Sequence, residues 1–485
     1  MLHIRRSLAF SVIDKVTGVV LSILTMAVVS RLLAPAEVGV FMIGSSIVIL
    51  IEALRDFGVS ACLVQARELT PHLVRTAMTV MAILSLVLGT VIWWAAIPLA
   101  QFYDSAELTG IVHVAVLAFL AAPVANPLLA LLRREMAFGR VALIGMAAGL
   151  TNTALSVGLA LAGFGAFALI WASVAAAFVT AAGAVLAHGG LPPLRPSLRE
   201  WRQVVPFGAW SSIITLLGML LDSLPRLILG RMLGLDAAGL FTRAVALNQL
   251  PERLFLNAVQ PVVLPAMAAR LRAGEAIAAP WLMGIALITA LQWPVLMMIA
   301  LLAAPIVGIL LGGGWTEVTP ILRIVALSSI CLFPQYLAFP VLVAAGRVRE
   351  MALASLFTVP VSGGILLVAS VFGLQAVAAA LILTGALQST VALALTWRCV
   401  RFAWRDLGTT LGQSALVTLA AVLPAAGVMA VAGRGLAPGP GIAAIATVAA
   451  MVGWRCALRL MAHPLDAQLD RITARLRPAS GADAI

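Results

Sequence analysis

The sequence predicts an all-α integral membrane protein with about fourteen transmembrane helices, arranged as two six-helix bundles in a parallel repeat plus two extra C-terminal helices. Three observations lead to this fold class. Apolar stretches of bilayer-spanning length follow one another through almost the whole chain. Arginines are concentrated in alternate connections between these stretches. A segment of the first bundle recurs in the second.

Composition indicates that most of the chain lies in a membrane. Hydrophobic residues make up 62% of the 485 residues, charged residues make up 10%, and the mean hydropathy is +1.10. A soluble domain carries about 25% charged residues, so most side chains here must face lipid or other helices. The predicted spans are 10–30, 38–54, 77–99, 111–132, 141–162, 164–187, 206–230, 238–263, 281–311, 320–344, 351–371, 374–397, 414–432 and 441–460.

Arginine placement predicts the topology. Of the 31 Lys and Arg residues, most lie at the two termini or in alternate connections. The basic connections contain Arg55/Arg67/Arg75, Arg133/Arg134/Arg140, Arg195/Arg199/Arg202, Arg270/Arg272, Arg347/Arg349 and Arg398/Arg401/Arg405. The opposite connections contain only Arg31, Arg231 and Arg434 as bases. Because short loops rich in Lys and Arg stay in the cytoplasm, both termini are predicted to be cytoplasmic.

Two short matches indicate an internal repeat. Residues 31–41 and 231–241 share Arg, Leu, Gly and Phe at identical offsets, and Arg-Glu-Met-Ala occurs at both 134–137 and 349–352. Six spans separate the copies, so both halves enter the membrane from the same side, which predicts a transport path between them. The predicted divisions are the bundles 1–190 and 200–400, the two additional helices within 410–460, and a cytoplasmic tail, 461–485.

The sequence lacks the motifs and charge patterns that are typical of soluble enzymes and of nucleic-acid-binding proteins. The net charge of +12 is scattered over many loops rather than gathered on one face, so nucleic acid is not the predicted partner; the bases can instead meet anionic membrane lipids. Valine follows Lys15, the one lysine, which excludes a GxxxxGK[ST] phosphate loop. The four cysteines are widely separated and no histidines pair at zinc spacing, so neither a metal site nor a cofactor is predicted.

A membrane enzyme is the main catalytic alternative. Membrane glycosyltransferases and polysaccharide polymerases typically hold acidic catalytic residues in a sizeable external loop, and the outside connections here are short. No catalytic residues are therefore predicted. The first apolar run is too long for a cleavable signal and is expected to remain as a membrane helix.

Ionisable residues inside apolar spans are costly and indicate a site or a water-filled path. Asp14 and Lys15 lie in the first span, where Lys15 can also extend to the inner headgroups. Asp222 and Arg226, spaced i,i+4 on the seventh span, share a helical face and can pair.

The eighth span carries the strongest such signal. A polar stripe runs along one side of this span and consists of Gln249, Glu252, Arg253, Asn257 and Gln260. The preferred interpretation is a hydrated inner wall; a purely structural clamp between helices is the alternative. Nearer the outside ends of their spans, Arg243 and Arg323 are expected to extend into the headgroup region.

Several stretches resemble a known family. Residues 30–41 and 54–65, Pro206-Phe207-Gly208-Ala209-Trp210, Val263-Leu264-Pro265-Ala266 and Gly313-Gly314-Trp315 are similar to corresponding segments of bacterial polysaccharide-transporter flippases. The chain thereby resembles Wzx-type lipopolysaccharide and exopolysaccharide exporters, in the superfamily that also holds the lipid II flippases and the multidrug-and-toxin exporters. The similarity extends over roughly residues 5–400.

The resemblance implies a mechanism and partners. It implies two six-helix bundles around a central cavity and the transfer of an undecaprenyl-diphosphate-linked oligosaccharide from the inner to the outer leaflet by alternating access. It also implies coupling to a gradient of H⁺ or Na⁺, and a polysaccharide polymerase and chain-length machinery as partners. On this hypothesis an arginine that lines the path, such as Arg253, would meet diphosphate, since guanidinium matches phosphate oxygens bidentately, and Asp222 or Glu252 would exchange the ion. A drug or small-solute exporter and a lipid II flippase of the same superfamily are the alternatives.

Overall fold

The computed structural model describes residues 2–56, 59–66, 68–190, 196–252, 270, 275–432, 439–468 and 470, with the side chains of 2–15, 61, 65, 202–214, 348 and 432 excepted. Within these residues, every regular element is a helix, which confirms the predicted all-α class.

Ten helices form the N-terminal half of the described chain. They are α1 (Leu2–Leu32), α2 (Pro35–Asp56), α3 (Val59–Gln65), α4 (Pro71–Phe102), α5 (Ala106–Val116), α6 (Ala118–Arg134), α7 (Phe138–Leu161), α8 (Ala166–His188), α9 (Trp201–Met232) and α10 (Leu235–Asn248). The described residues of the C-terminal half form α11 (Ala278–Leu301), α12 (Ala303–Leu310), α13 (Val318–Ser329), α14 (Gln335–Ala344), α15 (Val348–Ser370), α16 (Leu374–Val400), α17 (Trp404–Ala432) and α18 (Pro440–Leu460).

Eleven stretches of the described chain are helical, long and apolar enough to cross a membrane. They coincide with the second to sixth and the ninth to fourteenth predicted spans. The first, seventh and eighth predicted spans include residues or side chains outside the description; of α1, Val16–Leu32 forms a shorter apolar helix. The protein is therefore a multi-span membrane protein, and the total of about fourteen spans stays a prediction.

The described chain divides into two compact units whose limits differ from those of the predicted bundles. One unit comprises Met1–Arg243, Leu310–Val318 and Ser355–Val377, and the other comprises Ala244–Ile309, Thr319–Ala354 and Ala378–Ile485. This clustering reflects packing and does not test the repeat, so the division into 1–190, 200–400 and 410–460 stays a prediction.

Local sequence explains the helix boundaries in the first unit. Thr70 caps α4 by accepting a hydrogen bond from the Leu73 amide at 3.0 Å, and Pro71 follows at a position where a missing N–H costs nothing. The α8 helix ends at Gly189, whose φ of 87° is a left-handed conformation that glycine adopts without strain.

The core of the first unit lies between α3, α4, α6 and α8. Fully buried apolar side chains from these helices, including Leu63, Leu73, Met81 and Leu128, pack into one cluster. The guanidinium of Arg134 crosses from the end of α6 to the end of α3, where it donates to the carbonyl oxygens of Leu63 (2.8 Å) and Ala66 (2.7 Å). These two bonds satisfy carbonyls that a helix end leaves without intrahelical partners.

The second unit contains two spans that are not continuous helices. The ninth predicted span, 281–311, is divided between α11 and α12 at Leu302. The tenth, 320–344, consists of α13, a 3₁₀ turn over Ile330–Leu332, and α14. Irregular backbone at membrane depth is tolerated where it is buried in protein or lines a cavity. These two breaks are therefore candidate positions for a binding site.

Candidate functional site

The predicted site residues differ in how far the structure describes them. Asp14 and Lys15 lie on α1, but their side chains are outside the description. Arg253, Asn257 and Gln260 lie outside the described residues altogether. The structure describes the side chains of the three remaining candidates, Asp222, Arg226 and Glu252.

Asp222 and Arg226 share a face of α9, but their contact differs from the predicted one. Arg226 donates its Nη2 hydrogen to the backbone carbonyl oxygen of Asp222 at 3.2 Å, and no ion pair joins the two side chains among the described residues. The Asp222 side chain is exposed on the protein surface. A carboxylate inside a span avoids lipid and faces a protein interior or water. The pair thus leaves a carboxylate available on this face of α9.

Glu252 borders a cavity of about 340 Å³ in the second unit. Asn248, at the end of α10, and Ser329, at the end of α13, also line it, and the Asn248 amide donates to the Ser329 hydroxyl at 2.8 Å. Both residues are at interruptions of their helices: Pro251 follows α10, and the 3₁₀ turn follows α13. Proline removes a backbone N–H and interrupts the helical ladder. The breaks therefore position polar side chains beside the cavity.

A chain of hydrogen bonds extends the polar lining. Gln292, on α11, donates to the Tyr336 hydroxyl at 2.9 Å, and Tyr336 forms a further hydrogen bond with the Glu252 carboxylate. The side-chain oxygens of Asn248 and Gln292 are buried and have no hydrogen-bond partner in the described part of the chain. Asn248, Gln292 and Glu252, which carry these two amide oxygens and a carboxylate, thus line one cavity. Oxygen atoms of this kind bind hard cations, and a carboxylate can also take up a proton.

The remainder of the cavity wall is apolar. Leu287, Leu291 and Val295 of α11 line one side, and Leu465 and Gln468 from the segment after α18 line another. Burial of polar groups in such surroundings is costly unless they are hydrogen-bonded or coordinated. The two unpartnered amide oxygens are accordingly the feature that most clearly points to a small bound ligand.

A second cluster surrounds the motif Gly313-Gly314-Trp315 in the first unit. The indole N–H of Trp315 donates to the backbone carbonyl oxygen of Ser30 at 2.5 Å, and the Arg243 guanidinium lies 5.6 Å from the centre of the Trp315 ring. Arg243 is only 6% exposed, so the expectation that it extends into the headgroup region is wrong. Packing of α10 against the Trp315 turn, which spacing alone does not reveal, holds it inside. Arg323 is exposed, as expected.

Sequence reasoning also missed a buried arginine at the end of α2. Arg55 was interpreted as a loop residue that sets topology, but it is 5% exposed, with its guanidinium 4.5 Å from the centre of the Phe119 ring. Its Nη2 atom pairs with Glu52 at 3.3 Å, while Nε and Nη1 have no partner in the described chain. The i,i+3 spacing of Glu52 and Arg55 was a usable signal, because that spacing brings two side chains together on a helix.

Among the described residues, no group of three or more His, Cys, Asp or Glu side chains could hold a metal ion.

Comparison with known proteins gives the family. A family model described as "Polysaccharide biosynthesis protein" matches residues 28–320, more than half of the chain. The chain belongs to the polysaccharide biosynthesis protein family. This confirms the resemblance seen in the sequence.

Relatives of this polysaccharide biosynthesis protein include a named transport protein and a named lipopolysaccharide biosynthesis protein. It is 23% identical over 344 residues to the succinoglycan biosynthesis transport protein ExoT of Rhizobium meliloti (strain 1021), covering 71% of this chain and 70% of ExoT. It is 24% identical over 334 residues to the lipopolysaccharide biosynthesis protein WzxC of Escherichia coli (strain K12), covering 66% of each. The matches thus span about two thirds of these relatives.

Solved structures with a similar fold are also transporters. The lipid II flippase MurJ in an inward closed conformation matches 94% of this chain and 99% of its own, with a TM-score of 0.76 and 10% identity. An inward-facing multidrug-resistance MATE transporter matches 82% and 99%, with a TM-score of 0.64 and 16% identity. These matches show that the chain shares the fold of these two proteins.

Proposed function

We propose that this protein flips a polyprenyl-diphosphate-linked oligosaccharide from the inner to the outer leaflet of a bacterial inner membrane, for synthesis of lipopolysaccharide or exopolysaccharide. The match to the polysaccharide biosynthesis family over residues 28–320 carries the proposal. The names of ExoT and WzxC support an exported polysaccharide precursor over a drug. The same proposal makes a polysaccharide polymerase and chain-length machinery the partners that use the flipped product.

The physical problem is the passage of a charged headgroup through lipid. An uncompensated charge at the bilayer centre costs at least about 2.5–3.5 kcal/mol, and a diphosphate carries more than one. Arginines within spans lower this cost because a guanidinium forms two parallel hydrogen bonds with phosphate oxygens. On this proposal Arg226 and Arg253 meet the diphosphate, Asn257 and Gln260 hydrogen-bond to sugar, and the polyprenyl tail remains in lipid.

The cavity beside Glu252 supports ion coupling within the same proposal. The Glu252 carboxylate and the two unpartnered amide oxygens of Asn248 and Gln292 provide a place for one Na⁺ or, on the carboxylate, one H⁺. Loading of this site would change the charge of the second unit and could bias a conformational equilibrium, as a ligand that binds one state more tightly does. Asp222, Asp14 and Lys15 are further proposed exchange groups.

Flipping itself is tested by deleting the gene and measuring where lipid-linked repeat units accumulate. The flippase predicts accumulation of units that face the cytoplasm and loss of polymer at the cell surface. A drug or small-solute exporter predicts normal polymer and altered drug sensitivity, and a lipid II flippase predicts accumulation of peptidoglycan precursor instead. Normal polymer with normal distribution of lipid-linked units contradicts the proposal.

Coupling is tested in vesicles that contain the purified protein and a fluorescent lipid-linked oligosaccharide. Imposed H⁺ and Na⁺ gradients are compared for wild type, Glu252→Gln and Tyr336→Phe. Glu252→Gln should retain passive flipping and lose its response to the gradient. The matched control is Glu107→Gln, which removes an exposed carboxylate at the start of α5. An unchanged gradient response in Glu252→Gln excludes this site from coupling while leaving the flippase proposal intact.

A further inference from the structure

A groove in the first unit carries a feature that oligosaccharide transport does not explain. Its volume is about 620 Å³, within the range of about 300–1,000 Å³ that small-molecule sites occupy. It is lined by residues of α4 and α6 and by Pro196, from the segment that precedes α9.

The groove opens on the apolar surface of the unit. Three of its lining side chains are strongly exposed: Ile83 (47%), Leu86 (70%) and Leu120 (66%). Exposed apolar side chains on membrane-spanning helices face hydrocarbon, because water would make such a surface costly. The groove is therefore accessible from the lipid phase.

Its length matches a single leaflet. The lining residues on α4 extend from Arg75, one turn after the start of the helix, to Leu86. At a rise of about 1.5 Å per residue, this distance is about 16 Å, and half of a hydrocarbon core of about 30 Å is about 15 Å. An acyl chain of the leaflet on the Arg75 side can thus follow the groove from the headgroup region to the middle of the membrane.

The two ends of the groove differ in chemistry. At one end, the Arg75 guanidinium has no hydrogen bond or ion pair with any described residue. The end is fixed in place, since the Ser197 amide donates to the Thr79 hydroxyl at 3.1 Å and the Thr70 hydroxyl donates to Glu200 at 2.7 Å. Further along, Leu86 and Leu120 make the lining apolar. A free cation followed by an apolar channel is complementary to an anionic headgroup followed by an acyl chain.

We propose that the α4–α6 groove binds an anionic glycerophospholipid, with its phosphate at Arg75 and one acyl chain along Ile83, Leu86 and Leu120. The polyprenyl-linked substrate is the less favoured occupant, since the groove offers one cation and the length of one leaflet. This inference does not depend on the proposed transport activity. The bound lipid is then a specific structural ligand of the protein, taken from the leaflet on the Arg75 side.

The test uses two photoreactive phosphatidylglycerols in vesicles of phosphatidylethanolamine and phosphatidylglycerol that contain the full chain. A diazirine at the end of an acyl chain should label peptides around Leu86 and Leu120, and a diazirine near the glycerol should label residues around Arg75 and Met78. Labelling should be stronger than with matching phosphatidylcholine probes, which carry no net charge. Equal labelling by both lipid classes overturns the proposal, because it shows that the headgroup is not recognised.

Variants separate binding from folding. Arg75→Ala should lower labelling about tenfold, the effect of losing one hydrogen bond to a charged group, and Arg75→Lys should retain part of it. Arg133→Ala removes an exposed arginine from the last turn of α6 and should leave labelling unchanged. Ala82→Phe, at an exposed position on the groove edge, should block acyl-chain labelling in a normally folded protein.

Two further outcomes contradict the proposal. Equal effects of Arg75→Ala and Arg133→Ala would show that only the general positive charge of this face attracts lipid. Displacement of the probe by purified lipid-linked oligosaccharide at lower concentrations than by phosphatidylglycerol would assign the groove to the transport substrate.

Discussion

Gly39, on α2, and Gly239, on α10, approach each other's helices so closely that neither position can hold a side chain. A Cβ atom on Gly39 would overlap the carbonyl oxygen of Leu235, and a Cβ atom on Gly239 would overlap the carbonyl oxygen of Pro35. Pro35 and Leu235 occupy corresponding positions of the predicted repeat, as the two glycines do. Each copy therefore makes the same contact with the other, which is the reciprocal pattern that a two-fold axis produces.

This contact also places both glycines at the same end of the molecule. Each lies in the first turns of its helix, and the Cβ position of Gly239 is 3.2 Å from the Gly39 amide nitrogen. A parallel repeat requires this arrangement, and an inverted repeat would separate the two positions across the membrane.

Substitution of either glycine should loosen this contact. Gly39→Ala and Gly239→Ala force backbone to move, and overpacking of this kind costs about 1–3 kcal/mol. The melting temperature of the purified protein should fall in both variants, and the double variant should lose less than the sum because the two changes affect one contact. Gly158→Ala is the matched control, since a Cβ there meets nothing within 4 Å on α7. Equal melting temperatures for wild type and both interface variants would exclude a tight contact.

The topology prediction is checked by reporter fusions at four helix connections. Fusions after Gly190 and Ala403 should report a cytoplasmic location, and fusions at Ser105 and Gly313 should report the opposite side. The structure places Ser105, Gly190 and Ala403 between helices, and Gly313 begins a short 3₁₀ turn between α12 and α13, so an insertion at these positions does not interrupt a span. A non-cytoplasmic signal at Gly190 would move every later span to the opposite orientation and remove the basis of the repeat.

Acidification should release the segment that follows α18. His463 is 2% exposed, and its Nδ1 atom accepts a hydrogen bond from the Leu465 amide at 3.2 Å. Burial lowers the pKa of the His463 imidazole below its usual value of 6.5. The unfolded segment therefore binds more protons, so the stability that the neutral ring contributes is present above pH 6.5 and is lost as the pH falls through the lowered pKa.

Hydrogen exchange of residues 455–468 between pH 7 and pH 5 measures this release, after correction for the intrinsic dependence of exchange on pH. Exchange should increase at the lower pH in wild type and remain constant in His463→Gln, which keeps an acceptor without the charge. His72→Gln, at an exposed position on α4, should behave like wild type. Arg455 also holds this segment through ion pairs with Asp466 and Asp470. A pH response that persists in His463→Gln contradicts the assignment to His463.

The sequence predicted those features that depend on local composition. Apolar stretches of sufficient length define spans without knowledge of the packing, which is why the eleven described spans lie where they were predicted. Between the fifth and sixth predicted spans, the structure has a turn at Gly163-Phe164-Gly165 in which both glycines adopt positive φ values, 83° and 55°. The interruptions at Leu302 and at Ile330–Leu332 were not, because neither follows from hydropathy.

Features that depend on tertiary contacts were missed. Helical spacing shows which side chains share a face, but not which neighbour covers that face. Arg55 and Arg243 therefore looked like headgroup-facing residues, although Phe119 and Trp315 cover them. For the same reason, Glu252 could be selected by its depth in the span, whereas Asn248, Gln292 and Tyr336 could be recognised as its partners only from the structure.

The predicted role of Arg253 remains the sharpest question about the transport path. If Arg253 meets the diphosphate, Arg253→Ala should abolish export while the protein still accumulates in the membrane. Arg253→Lys should retain part of the activity, because the charge persists without the bidentate geometry. Export is measured as polymer at the cell surface, and abundance is measured by quantifying the protein in isolated membranes.

The alternative is that Glu252 and Arg253 only clamp helices together. Removing one member of a buried pair costs about 3–5 kcal/mol, a large share of total stability, so alanine at either position should then lower abundance. Because Glu252 bonds to Tyr336, Tyr336→Phe provides a matched perturbation of the same cluster without removing a charge. Lost export at normal abundance in Arg253→Ala alone indicates a substrate contact, and low abundance in all three variants indicates a clamp. Full export in Arg253→Ala would exclude both roles.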